Sequence, residues 1–145
     1  MIDKQLVKTL CIFSVLIGAA IGLIPLIPAL TGLAFTLLMF LVAPVVIYYF
    51  NKLKLLKDFD MEKCLVIGSV SGAMACVGFC IVYLPIAFLL QLIFKMQSFI
   101  WIKVLFVNFG FLIPMIIFMA LAGALFNAFS AFLVSYFINL KQDKQ

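Results

Sequence analysis

Few side chains in this chain can do acid–base, nucleophilic or metal chemistry. There is no His and no Arg. The carboxylates are Asp3, Asp58, Asp60, Glu62 and Asp143, and the cations are Lys4, Lys8, Lys52, Lys54, Lys57, Lys63, Lys95, Lys103, Lys141 and Lys144. Asp58, Asp60 and Glu62 form the one acidic group, and carboxylates of this kind can hold Mg²⁺ beside a phosphate. Steps of two do not place them on one helix face, and Lys52, Lys54, Lys57 and Lys63 surround them. The segment is expected to be a solvated loop at an anionic leaflet. Cys76 and Cys80 are one helical turn apart, a spacing open to a soft metal. Without His or a Cys-x-x-Cys pattern, and with Met74 and Met115 as ordinary apolar filler, they are expected to pack. No Gly-x-Ser-x-Gly and no glycine-rich phosphate loop occurs. No catalytic residue, cofactor or metal ligand is therefore assigned, and the chain is expected to be non-enzymatic.

Three stretches, residues 9–51, 64–94 and 104–140, carry no charge at all. Proton coupling across a membrane needs a group that changes charge within the span, usually a carboxylate or imidazole. None lies in these stretches, so any transport is expected to be passive and confined to uncharged solutes. The polar residue deepest in the last stretch is Asn127. Its amide must find a partner in hydrocarbon, and it is read as an interhelical hydrogen bond rather than a pore or substrate contact. Asn108 and Gln91 lie nearer the ends, where water can reach them.

These stretches define the elements. Of 145 residues, 68% are hydrophobic and 10% charged, whereas soluble domains average about 45–50% and about 25%. That excludes an ordinary soluble domain and a disordered chain. The expected fold is all-α: a polytopic integral membrane protein, one domain over residues 1–145, folded as a four-transmembrane-helix bundle. Spans are expected near 6–25, 29–50, 64–94 and 112–138, since a bilayer core of about 30 Å takes about 20 helical residues. Pro25 and Pro28 divide the first pair into a hairpin. The long third span is expected either to tilt or to kink at Pro85. Residues 104–140 would run about 55 Å as one helix, so a break is expected at Gly110 and Pro114. Segments 51–63 and 95–103 are read as loops, with Trp101 an interfacial anchor. The apolar run continues past Gly18-Ala19-Ala20, which argues against a cleaved leader.

Lysines set the orientation. Eight fall at the N-terminus, in 51–63 and at the C-terminus, against Lys95 and Lys103 on the other side. Both termini and the 51–63 loop are therefore expected in the cytoplasm, with 95–103 external. Lysine without arginine suggests an AT-rich bacterial genome, and hence the bacterial cytoplasmic membrane. The cations are scattered rather than gathered in a stripe, and no nucleic-acid partner is expected.

Lipid tails are as apolar as Leu, so helices in a bilayer associate through close backbone approach and interhelical hydrogen bonds. Small residues at helical spacing mark where. Span one carries Gly18 and Gly22, with Cys11 and Ser14 nearby on the same face. Span three carries Gly68 and Gly72, extended by Ser71, Ala75 and Cys76. Span four carries Ala120, Gly123, Ala124, Asn127, Ala128, Ala131 and Ser135, a 3.6-residue periodicity. Leu125, Phe129, Phe132 and Tyr136 point away. The expected function is helix–helix association with itself or with a larger membrane protein, within the lipid bilayer. The alternative is a small oligomeric pore or carrier for an uncharged solute.

Overall fold

Backbone polar groups in a chain this apolar must pair with each other, and uninterrupted runs of Leu, Ile, Phe and Ala do so as helix. The computed structural model describes residues 4–53, 61–95 and 97–142. The helices are α1 Lys4–Ile21, α2 Thr31–Thr36, a π-helical turn Leu37–Leu41, α3 Val42–Lys52, α4 Met61–Phe94, α5 Ile100–Val107 and α6 Phe109–Gln142, with short 3₁₀ turns at Ile24–Leu26, Pro28–Leu30 and Gln97–Phe99. Four helical stretches, Gln5–Leu26, Pro28–Lys52, Met61–Phe94 and Phe109–Ile138, are long and apolar enough to cross a membrane. Lys57, Asp58, Asp60 and Lys144 lie outside the described residues.

The first hairpin turns where the prolines are. Pro25 sits in one 3₁₀ turn and Pro28 opens the next. Ile27 between them is extended, at φ −93° and ψ 109°, as a residue before proline prefers. Phe13 on α1 stacks on Tyr49 of α3 with ring centroids 4.6 Å apart, closing the hairpin.

Helix α4 is the centre of the fold, and α1 and α6 pack on different faces of it. Gly18 meets Ala75 and Gly22 meets Phe79, so α1 and α4 run in the same sense. Gly72 meets Gly123 and Gly68 meets Asn127 and Ala131, so α6 runs opposite to α4. The start of α1 and the end of α6 thus share one end of the bundle. Phe50 and Phe79 are among the largest fully buried side chains.

Two expectations for the 95–115 region are corrected. Residues 95–103, read as a loop, contain the 3₁₀ turn and the first half of α5. The break before the last span is not at Gly110 and Pro114, which both lie inside α6. It is at Asn108, at φ −103° and ψ 68°. Asn108 Nδ2 donates to the Val104 carbonyl at 3.1 Å, and the Phe111 N–H donates to the Asn108 carbonyl at 2.9 Å. A side-chain amide that bonds its own backbone ends a helix where proline, near the start of the next one, is tolerated.

Helix α5 does not run back along α4 as the second arm of a hairpin would. Trp101 lies by Tyr83 (6.4 Å between centroids) and Phe106 stacks on Phe88 (4.4 Å). Both residue numbers rise together, so α5 runs in the same sense as α4. The chain therefore folds back beside α4 between Lys95 and α5, which then runs on to Asn108. Trp101 is placed by this fold-back, against Tyr83, rather than at the tip of a loop.

Candidate functional site

The most elaborate polar arrangement centres on Asn127, which is fully buried. Its cause lies in the second span. Pro44 has no N–H, so the Phe40 carbonyl loses its α-helical donor. The chain widens into the π turn Leu37–Leu41 immediately before it, as helices do around an inserted irregularity. Asn127 enters the gap. Its Oδ1 accepts from the Ala43 N–H at 2.9 Å, and its Nδ2 donates to the Leu38 carbonyl at 3.0 Å and to the Gly123 carbonyl at 3.0 Å. The amide replaces a peptide group between Leu38 and Ala43. One N–H and two carbonyls around it admit only this orientation of the amide.

Glycine makes that reach possible. A Cβ on Gly72 would overlap the Gly123 carbonyl and lie 2.6 Å from Asn127 Cβ. One on Gly68 would lie 2.5 Å from Ala131 Cβ and 2.6 Å from the Asn127 carbonyl, and one on Gly123 would overlap Cys76 Sγ. Cys76 therefore fills the notch over Gly123. Ser71, Ala75, Ala131 and Ser135 are buried, while Ala120, Ala124 and Ala128 lie half-buried on the flank of the seam. Ser130, not singled out above, is buried as well, its hydroxyl turned back to the Phe126 carbonyl at 3.0 Å. Leu125, Phe129 and Tyr136 point outward, and Phe132 is half-buried.

A second seam joins α1 to α4. A Cβ on Gly18 would overlap the Ala75 carbonyl, and one on Gly22 would lie 3.1 Å from the Phe79 carbonyl. Gly78, where a Cβ would overlap the Val15 carbonyl, was missed in the sequence. Met74 and Val82 stand four residues either side of it, so no small-x-x-x-small pattern marks it. Ser14 is buried in α1 and Cys11 is half-buried.

The chemistry available here is hydrogen bonding and packing. Both Nδ2 hydrogens of Asn127 are used, and Oδ1 is in use. Among the described residues no three His, Cys, Asp or Glu side chains gather to hold a metal ion. Glu62 stands exposed in the first turn of α4. Away from both seams, α5 and the first half of α6 enclose an open groove of about 500 Å³ lined by Val104, Leu105, Asn108, Phe111, Pro114, Met115 and Phe118. Comparison with protein-family models, with curated proteins and with solved structures found no match in any of the three.

Proposed function

We propose that the chain is a non-enzymatic, multi-pass protein of the bacterial cytoplasmic membrane, with both termini in the cytoplasm, that acts by packing against a larger membrane protein or a second copy of itself. The observation that carries this reading is the uncovered length of α6. Only 6% of the most apolar window of Phe109–Ile138 is buried, against 44% for Met61–Phe94. Phe118, Leu121, Leu125 and Phe129 form an exposed apolar edge on it. The glycine seams are occupied within the chain, so a partner would meet this edge instead. The eight-to-two lysine split supports the orientation.

A pore or carrier for an uncharged solute draws less support, because Asn127, the polar group best placed to line a path, has its donors engaged by backbone. The test is a photo-cross-linking residue at Leu125 in native membranes, followed by mild-detergent purification. A defined protein adduct, either a larger membrane protein or a second copy, is expected. Adducts to lipid alone would overturn the reading.

A further inference from the structure

The first hairpin and α4 reach different heights at the end of the bundle that carries Lys95. Gly22 is level with Phe79, since a Cβ on it would lie 3.1 Å from the Phe79 carbonyl. On the returning arm Phe35 meets the same Phe79, with ring centroids 5.6 Å apart. The turn between the arms, residues 23–30, therefore stands only a few residues beyond Phe79. Helix α4 continues past Phe79 for about 22 Å before it ends at Phe94. The hairpin thus stops roughly 10–15 Å short of the end of α4.

Apolar surface covers that extra height. Leu89, Ile93 and Phe94 on α4 are exposed, as are Val107 and Phe109 beyond the stacked pair Phe88 and Phe106. Between Lys63 and Lys95 α4 carries no charge and runs about 48 Å, so even a tilt of about 40° leaves about 37 Å against a hydrocarbon core of about 30 Å. With the turn at the water boundary, this surface would stand outside hydrocarbon, at a cost of about 25 cal/mol for each Å². The turn itself has little that needs water. Residues 23–30 contain no polar side chain. Pro25 and Pro28 have no N–H, and the N–H groups of Leu23, Ile27 and Leu30 donate to the Ala20, Ile24 and Ile27 carbonyls. Thr31, which follows, gives both its N–H and its hydroxyl to the Pro28 carbonyl. A backbone paired in this way is tolerated in hydrocarbon, where an open loop is not. Leu23 and Ile27 nevertheless face outward, 52% and 57% exposed. Lys103 stands near this level, two residues past Trp101 beside Tyr83, and its flexible stem can carry the ammonium to the head groups.

We propose that the tip of the first hairpin ends inside the outer leaflet, where Leu23, Ile27 and Leu30 meet acyl chains rather than head groups or water. The inference rests on the membrane placement and orientation above. An impermeant thiol reagent applied to intact cells tests it on the full chain. Ala29→Cys, at an exposed position of the turn, is compared with Gln97→Cys, exposed just past Lys95, and the unmodified chain supplies the background of its four cysteines. Ala29→Cys is expected to react roughly tenfold or more slowly, because an apolar setting suppresses the reactive thiolate. Equal rates would overturn the proposal. Depth is read separately from Ile27→Trp in a Trp101→Phe chain, reconstituted in vesicles with a nitroxide either at the lipid head group or midway along the acyl chain. The mid-chain nitroxide should quench more strongly. Stronger quenching from the head group would place the turn at the surface, and quenching by neither would mean that protein covers it; both overturn the proposal. A Gln97→Cys chain that reacts only after the cells are lysed would instead refute the orientation, and this inference falls with it.

Discussion

The two halves of α6 are both largely apolar and have opposite fates. From Gly123 onward, the helix is pressed into α4 and threaded to the second span by Asn127. From Phe109 to Leu121 no residue of it is buried, and α5 flanks it across an open groove. Phe and Leu run through both, while the methionines lie in the first half and the Ser and Asn residues lie in the second. The difference is where backbones can approach. Gly68, Gly72 and Gly123 remove the side chains that would separate α4 from α6, and a carbonyl ladder interrupted by Pro44 gives Asn127 something to bond. In a bilayer, where lipid satisfies apolar surface as well as protein does, those features decide packing.

The largest test places the same substitution in each half. Gly72→Leu should cost about 3 kcal/mol or more, because overpacking here meets backbone and the Asn127 stem rather than a flexible side-chain end. Gly110→Leu should stay within about 0.5 kcal/mol, since a Cβ there meets nothing within 4 Å. Reversible unfolding in mixed detergent micelles measures both. Equal losses would remove the contrast between the halves.

The two asparagines give the next comparison. Asn127→Leu leaves the Ala43 N–H and the Leu38 carbonyl buried without partners, and should cost about 2–4 kcal/mol. Asn108→Leu removes one exposed bond to Val104 and should cost under about 1 kcal/mol. The cycle with Pro44→Ala sharpens the cause. Removing the ring at position 44 removes its clash with the Phe40 carbonyl and lets the π turn Leu37–Leu41 tighten, so Asn127→Leu should cost about 1 kcal/mol less in that background. Strict additivity of the two substitutions would mean that Asn127 does not compensate for the proline.

The smallest effect is at the end of α4. Lys95 has φ 50°, the left-handed conformation that closes a helix and that glycine adopts without steric cost. Lys95→Gly should stabilise by about 0.5 kcal/mol. Destabilisation by a comparable amount would show that the lysine charge outweighs the backbone term. Lys95→Gln, which removes the charge and keeps a non-glycine residue at this φ, separates the two contributions.

Composition and spacing alone determined the class of this protein. Long uncharged stretches dictate apolar helices, Pro25 and Pro28 dictate a turn, and the 3.6-residue recurrence of small side chains marks which faces of α4 and α6 lie close. These are local properties, written in residue type and separation. The tertiary structure decided the rest. Gly78 belongs to a seam because Val15 crosses there, and no neighbour in sequence announces it. Asn127 bonds Leu38 and Ala43, more than eighty residues earlier, where the second span widens into a π turn ahead of Pro44. The shared sense of α5 and α4 is read from Phe106 on Phe88 and Trp101 beside Tyr83, aromatic pairings that hydropathy cannot order. An apolar helix is satisfied by lipid on every side, so its pattern states that it will be buried in something apolar. Which part meets protein depends on where another backbone comes close enough to exclude the lipid.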